Sequence, residues 1–254
     1  MVATSETLLE SVQHERITFI ELWFTDITGV VKNVTIPAAK LAEVLAHGMS
    51  FDGSSLDAFA RVAESDMLLM PDVNTFALLP WSDPTERTAR LICTVYTPQG
   101  EPFIGDSRTV LLKALGQAAQ MGYSFKTGME LEFFIFNQGA PHDQAGYFDL
   151  PTEPTQQVRR QMLGALNALN IPANSAHSEI GHGQHEIDLD YTHALTSADN
   201  VLTARVALKT VAQQYGLHCT FMPRPSAILP GSGMHTHQSL HDVATGANVF
   251  MDTS

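Results

Sequence analysis

The stretch GMELEFFIF, residues 128–136, predicts the strand around which the rest of the fold can be placed. Because side chains alternate along a strand, Glu130 and Glu132 share one face, while Leu131 and Phe133 share the other. No basic residue lies nearby in the sequence, and two neighbouring anions beside apolar side chains are costly to bury. We therefore expect a bound cation here, with a solvated strand face as the alternative.

A second acidic strand is predicted at GQHEIDLDY, residues 183–191, where acidic and apolar residues alternate. One face of this strand carries Glu186, Asp188 and Asp190. Glu179 precedes the strand across two glycines, and a tight turn there would bring Glu179 back beside Glu186. An ordinary surface loop is an equally good interpretation of Glu179.

A pair of histidines follows a glycine turn in GSGMHTHQS, residues 231–239. His235, His237 and Ser239 would line one strand face, which suggests a ligand site. The same HxH spacing occurs in zinc hydrolases and among ordinary surface histidines, so its specificity is low. No Walker lysine or dinucleotide-binding glycine pattern accompanies the glycines, so they do not predict a phosphate loop.

Most of these side chains offer hard oxygen ligands: Glu130, Glu132, Glu179 and Glu186, with one histidine. Such a set favours Mg²⁺ or Mn²⁺ over zinc. Magnesium in a carboxylate cluster usually accompanies the phosphates of a nucleotide. The residues by themselves indicate a metal-dependent phosphoryl-transfer or hydrolytic enzyme.

The secondary structure predicted around these strands is mixed and gives an α+β fold. Before a boundary at 97–102 we expect strands at 16–24 and 30–36 joined by a turn at Gly29, a helix from Pro37 to Gly48, and short strands around 67–70, 76–79 and 90–96. After it we expect helices at 107–121, 155–169 and 197–215, the first and last beginning at serines, an exposed loop at 137–147 and a strand at 234–240.

Composition excludes several classes of protein. The 254 residues include 27 acidic and 14 basic side chains, and the net charge of −13 disfavours nucleic acid or an anionic membrane as a partner. The two cysteines, Cys93 and Cys219, form no CxxC pair, so we expect a reducing, cytoplasmic location without disulfides or a thiolate zinc site. The sequence has no export signal and no apolar run of about 18 residues, so no membrane insertion is expected.

Over essentially its whole length the chain resembles type I glutamine synthetase. The motifs that carry this resemblance are FTDITGVVKNVTIP at 24–37, FDGSS at 51–55, ESDMLLMPD at 64–72, GMELEFFIF at 128–136, GQHEIDLDY at 183–191, TFMPRP at 220–225 and GSGMHTHQSL at 231–240. The resemblance implies a β-grasp domain at 1–102, followed by the N-terminal part of a glutamine synthetase catalytic domain at 103–254. In that family, the antiparallel strands of the catalytic domain form a curved sheet around divalent metal ions.

The resemblance also implies an activity. In the family, ATP phosphorylates the γ-carboxylate of L-glutamate, and ammonia then displaces phosphate from γ-glutamyl phosphate, with two Mg²⁺ or Mn²⁺ ions in each site. The family continues beyond GSGMHTHQSL with further substrate-binding residues, so we expect this chain alone to be impaired. The implied partners are glutamate, ammonia, ATP and other copies of the chain, in a dodecamer of two hexameric rings.

Site residues follow from the resemblance, position by position. It assigns five side chains to two metal ions: Glu132, Glu179 and Glu186 to one, Glu130 and His235 to the other. It assigns His237 and Ser239 to ATP, and Gly231 and His235 to glutamate. Asp52, with Ser55 beside it, matches the catalytic acid that binds and deprotonates ammonium, on a loop that enters the neighbouring subunit.

Departures from the family pattern leave alternatives open. Pro230 stands where asparagine is common, Ser178 replaces a histidine and Arg224 replaces a lysine. Pro230 raises the alternative of a glutamate–amine or polyamine ligase, although Asp52 favours ammonia as the acceptor. A catalytically inactive homologue and, from the two histidines of HTH alone, a zinc hydrolase are further alternatives.

Overall fold

The structure of the chain is a computed structural model that describes residues 4–55 and 66–252. The chain divides into two compact units, Met1–Gln117 and Ala118–Ser254. Among the described residues, no helix is both long enough and apolar enough to span a membrane. The elements up to residue 120 are α1 (Ser5–His14), β1 (Phe19–Thr25), β2 (Val31–Pro37), α2 (Leu41–His47), β3 (Met49–Asp52), β4 (Asp66–Leu78), β5 (Thr88–Tyr96) and α3 (Ser107–Gln120).

The first unit is built on a five-stranded sheet in the order β2-β1-β5-β4-β3. β1 and β5 are parallel, and the other neighbours are antiparallel. Ile20, Leu22 and Phe24 of β1 are buried in one core with Leu8 and Val12 of α1. Full burial of an aliphatic or aromatic side chain contributes roughly 1.5–3 kcal/mol, so this core holds α1 against the sheet.

The turn between β1 and β2 depends on an aspartate as well as on the expected glycine. Asp26 Oδ1 accepts hydrogen bonds from the N–H groups of Thr28 (2.9 Å) and Val30 (3.0 Å), and Asp26 pairs with Lys32 at 3.1 Å. Gly29 has φ of +76°, a conformation that costs glycine little. Burial alone would raise the pKa of Asp26, but these partners outweigh it and lower the pKa to about 2.

The two short strands expected at 67–70 and 76–79 are a single strand, β4. Pro71 lies inside β4 opposite Cys93 of β5, and the pairing register shifts between Asp72 and Ala77. The sequence interpretation that ended a strand at Pro71 was therefore wrong. An irregularity in the ladder lets the strand continue past a residue that usually ends one.

The expected serine caps are also corrected. Asp106 rather than Ser107 caps α3, because its carboxylate accepts a hydrogen bond from the N–H of Thr109 at 3.0 Å. The last helix begins at Ala194, and Ser197 is buried inside it. In α3, a carboxylate one residue earlier takes the capping position that the sequence suggested for serine. In the last helix, the preceding strand leads directly into the helix, so that the serine lies inside it.

The second unit surrounds a long central strand, β6. Its further elements are β6 (Tyr123–Asn137), β7 (Ala140–Pro141), α4 (Glu153–Ala168), β8 (Ala173–Ser178), β9 (Gln184–Leu189), β10 (Thr192–His193), α5 (Ala194–Gln214), β11 (His218–Thr220) and β12 (Met234–Asp242). β6 pairs antiparallel with β9 along one edge and with β12 along the other, and β8 continues the sheet beyond β9. Part of the expected exposed loop at 137–147 is instead β7, and Asp143 within it is buried.

The helices of the second unit lie against one face of this sheet. The ring of Phe133 from β6 packs on Phe221 at 5.4 Å between centroids. Arg205 and Lys209 of α5 each place their charged group 5.8 Å from the centre of the Phe221 ring. Because side chains alternate along β6, its glutamates project from the opposite face of the sheet.

The Asp26 turn generates a stability prediction. Asp26→Ala removes several hydrogen bonds and an ion pair, and we expect it to lower the free energy of unfolding by about 1–2 kcal/mol at pH 7, measured by urea denaturation. Because the folded-state pKa of Asp26 is lowered to about 2, the difference from the unaltered chain should shrink as the pH falls from 4 towards 2. Asp66→Ala, at an exposed position, is the control; an equal effect of both changes would contradict the role of Asp26.

Candidate metal centre

The strand registers gather six polar side chains in two rows on one face of the second sheet. Side chains directly opposite each other in antiparallel strands share a face. One row runs from β12 through β6 to β9 and consists of His235, Glu130 and Asp188. The next row runs from β6 through β9 to β8 and consists of Glu132, Glu186 and His177. Four carboxylates therefore form a two-by-two arrangement flanked by an imidazole at each of two corners.

Glu186 is the most perturbed of these carboxylates. It is 7% exposed, and the carboxyl groups of Asp188 and Glu179 lie within hydrogen-bonding range of it. Burial raises the pKa of Glu186 to about 8, and the two neighbouring carboxyls contribute in the same direction. At neutral pH this site therefore favours either a proton or a cation.

Glu179 reaches this position through a tight turn. Its N–H donates to the carbonyl of Gln184 at 2.9 Å, and the N–H of Gln184 donates back to the carbonyl of Gly181 at 2.8 Å. The N–H of Ile180 donates to Glu179 Oε2 at 3.0 Å. The glycine-containing turn thus brings Glu179, a residue that is 8% exposed, beside Glu186.

Glu130 has a different environment, because two imidazoles bind it. His235 Nδ1 donates to one carboxylate oxygen at 2.8 Å, and His237 Nε2 donates to the other at 2.7 Å. The bonds from His237 and His235 hold the pKa of Glu130 below its usual range. Glu130 therefore stays ionised at the corner of the cluster nearest β12.

Glu132 is held by a neutral amide. Gln184 Nε2 donates to Glu132 Oε2 at 2.8 Å and to the carbonyl of Gly231 at 2.9 Å. A methyl group in place of the Gly233 hydrogen would lie 2.8 Å from Glu132 Oε1 and 3.7 Å from His235 Nε2. Glycine at 233 therefore lets the main chain approach the Glu132 carboxylate more closely than any other residue would allow.

The donor set fits a divalent cation. Among the described residues, no lysine or arginine side chain forms an ion pair with Glu132, Glu179 or Glu186. Carboxylates crowded together without a basic partner are stabilised by an ion, and carboxylate oxygens are the ligands that Mg²⁺ and Mn²⁺ prefer.

Three further sequence-predicted residues, Ser239, Asp52 and Ser55, are described by their local contacts. Ser239 is buried and hydrogen-bonds His241 Nε2 at 2.9 Å. In the first unit, Asp52 Oδ1 accepts hydrogen bonds from the N–H (2.9 Å) and hydroxyl (2.6 Å) of Ser54. Ser55 ends a short 3₁₀ turn, Gly53–Ser55, and the rest of that loop, 56–65, lies outside the described residues.

Sequence reasoning left two residues of the cluster, His177 and Asp188, without a role, as well as Gln184, which binds Glu132. The alternation of GQHEIDLDY already indicates that Asp188 shares a face with Glu186. His177 gave no such signal, because β8 has the sequence ANSAHS and shows neither apolar alternation nor β-branched residues. Only the pairing of β8 with β9 brings His177 opposite Glu186.

Family models match both parts of the chain. The model described as "Glutamine synthetase, beta-Grasp domain" matches residues 16–98, and the one described as "Glutamine synthetase, catalytic domain" matches residues 104–254. Curated proteins named glutamine synthetase from Halobacterium salinarum and Thermus thermophilus are each 45% identical to the chain. Their alignments cover 96% and 98% of the chain, which spans only 56% and 58% of the length of these relatives.

Solved structures agree with this assignment. A chain of a GmaS/ADP complex is 29% identical, with a TM-score of 0.89 over 100% of this chain and 59% of that one. A Plasmodium falciparum glutamine synthetase chain, 23% identical, has a TM-score of 0.90 over 99% of this chain and 56% of its own length, and it supports the fold alone. The expected fold, a β-grasp domain followed by a catalytic domain with a curved antiparallel sheet, is confirmed. By its family-model matches and its sequence, the chain belongs to the glutamine synthetase family.

Proposed function

We propose that this chain carries the metal- and nucleotide-binding part of an active site that ligates ammonia to L-glutamate with ATP. The observation that carries the proposal is the two-by-two arrangement of carboxylates across β6 and β9, together with the histidines of β12. The curated relatives named glutamine synthetase add support from outside the site. The division into domains at 1–102 and 103–254 is part of the same proposal.

The reaction has two steps. An oxygen of the glutamate γ-carboxylate attacks the γ-phosphorus of ATP and ADP leaves; ammonia then attacks the γ-carbon, phosphate leaves and the nitrogen gives up a proton. When bound, divalent cations neutralise charge on the oxygens of the transferring phosphoryl group. Such a mechanism needs no covalent bond to the protein, so the task of the chain is to bind, orient and accept a proton.

The proposed roles in metal binding follow the environments of the carboxylates. Glu132, Glu179 and Glu186 hold one Mg²⁺ or Mn²⁺ ion, and Glu130 and His235 hold a second. The hydrogen bond from Gln184 orients Glu132 without neutralising it, which suits a ligand that must keep its charge for the ion.

The proposed roles in substrate binding involve both units. His237 and Ser239 contact ATP, and Gly231 and His235 contact glutamate. Asp52 accepts a proton from ammonium, with Ser55 beside it, and acts in the site of a neighbouring subunit within a ring-shaped homo-oligomer of two stacked hexamers. A positioned carboxylate suits this proton transfer, because the nucleophilic nitrogen must lose a proton. A cytoplasmic location belongs to the proposal and is supported by two buried, free cysteines.

The proposal is tested by the dependence of turnover on the acceptor. We expect ADP release that requires both glutamate and ammonium, weaker from this chain alone than from an extended version, and we expect that putrescine does not replace ammonium. The measurement is made on this chain and on a version extended to the length of its relatives. Turnover with putrescine in preference to ammonium would support the amine-ligase alternative and contradict the proposal.

Substitution of a metal ligand gives a second prediction. Glu132→Gln keeps the size of the side chain and removes its charge, so Mn²⁺ affinity should fall roughly 10- to 100-fold, measured by isothermal titration calorimetry. Glu101→Gln, the same change at an exposed position, should leave the affinity unchanged. Equal affinities of Glu132→Gln and the unaltered chain would mean that the strand face is merely solvated.

The raised pKa of Glu186 predicts a pH dependence. Below about pH 8 the carboxyl favours its protonated form, so Mn²⁺ must displace a proton, and affinity should rise as the pH increases from 6 to 9. The metal-free chain should lose stability as the pH rises from about 4.5 to 8, because in that range Glu186 keeps its proton in the folded chain and has lost it in the unfolded chain. Calorimetry at pH 7 in buffers of different ionisation enthalpy counts the released proton. Proton release that is equal in Glu186→Gln and the unaltered chain would assign it to another group.

A further inference from the structure

Two side chains at the edge of the cluster, His177 and Asp188, have no part in the proposed function. One ligand atom from each of His177, Glu186 and Asp188 lies within 4.8 Å of the other two, and the described residues contain no other such group of three potential metal ligands. The register explains the grouping, because Glu186 lies opposite His177 and Asp188 follows on the same face of β9. Small side-chain rotations would bring all three atoms onto one ion.

Among the described residues, no basic side chain forms an ion pair with Asp188. The Ser175 hydroxyl donates to Asp188 Oδ2, while Oδ1 is shielded from solvent and receives no hydrogen bond from an N–H or hydroxyl group within the described part of the chain. The carboxyl of Glu186 lies within hydrogen-bonding range of Asp188. No lysine or arginine of the described residues pairs with Asp188 or Glu186. Two adjacent carboxyls shielded from solvent cannot both be ionised without cost, so Glu186 and Asp188 either share a proton or bind a cation at the centre of the group.

His177 is held in place by aromatic neighbours. The ring of Phe148 packs on the imidazole at 4.5 Å, and Tyr147 meets the imidazole edge-on at 5.8 Å. Phe148 has φ of +57°, which non-glycine residues adopt rarely, and its N–H donates to the carbonyl of Ser178 at 3.0 Å. Restricting the imidazole in this way reduces the entropy lost when it binds a ligand.

We infer that His177, Glu186 and Asp188 bind a divalent cation of their own on the β8 side of the acidic face. The inference rests on the proposed function, because Glu186 would be shared with the ion held by Glu132 and Glu179. One imidazole nitrogen with two carboxylates suits Mn²⁺ or another first-row transition ion better than Mg²⁺, which prefers oxygen alone. The chain would then bind one more ion than its family assignment accounts for.

Counting bound ions tests the inference. The metal-stripped chain is titrated with Mn²⁺, and free Mn²⁺ is measured by electron paramagnetic resonance. Asp188→Asn and His177→Gln should each remove one bound ion per chain or weaken one at least tenfold. Asp190→Asn, the same change two residues further on, should bind like the unaltered chain. Unchanged number and affinity in Asp188→Asn would overturn the inference.

The outcome is separable from that of the proposed function. If Glu132→Gln loses an ion and Asp188→Asn does not, the inference fails while the proposed function stands. If Asp188→Asn loses an ion and Glu132→Gln does not, the inference is supported and the assignment of Glu132 as a metal ligand is contradicted.

A spectroscopic readout does not depend on counting. In His235→Gln/His237→Gln, pulsed resonance of bound Mn²⁺ should still show coupling to a nitrogen, and adding His177→Gln should abolish it. Absence of the coupling in the double variant, with circular dichroism unchanged, would overturn the inference.

Discussion

The antiparallel register between β6 and β9 is the constraint on which the rest of the second unit depends. It sets Glu130 opposite Asp188 and Glu132 opposite Glu186. Paired strands lie about 4.8 Å apart, so the main-chain hydrogen bonds of the sheet hold like charges together against their repulsion. Helices pack on the opposite face of the sheet. On the acidic face, the repulsion between carboxylates is reduced by protonation, by hydrogen bonds from imidazoles and amides, or by bound ions.

The cluster accommodates this charge differently at each position. Hydrogen bonds from two imidazoles keep Glu130 ionised, while burial among other carboxyls makes Glu186 hold a proton more tightly. Glu132 is oriented by an amide that carries no charge. Carboxylates separated by a single strand spacing thus differ widely in acidity, which is the usual way that one site gives identical groups different chemical tasks.

Local patterns account for the part of this structure that the sequence could predict. Alternation identified β6 and β9 and the face of their glutamates, since the period of a strand is present in each strand alone. β8 and the position of His177 could not be predicted, because the sequence ANSAHS has no such alternation. The extended conformation of β8 follows from its pairing with β9. The predictions at Pro71 and Ser107 were wrong because each relied on the usual preference of one residue. Pro71 does not end its strand, because the ladder is irregular beyond it. Ser107 does not cap α3, because the neighbouring Asp106 does.

The two hydrogen bonds to Glu130 also fix the tautomers of the histidines. A neutral imidazole that donates through one nitrogen presents a lone pair at the other. In its neutral form, His235 donates through Nδ1 and exposes an electron pair at Nε2, whereas neutral His237 donates through Nε2 and exposes one at Nδ1. The Glu130 carboxylate therefore leaves a different ring nitrogen free in each of two histidines on the same strand. The free nitrogen of His235, Nε2, lies near Gly233 and the Glu132 carboxylate.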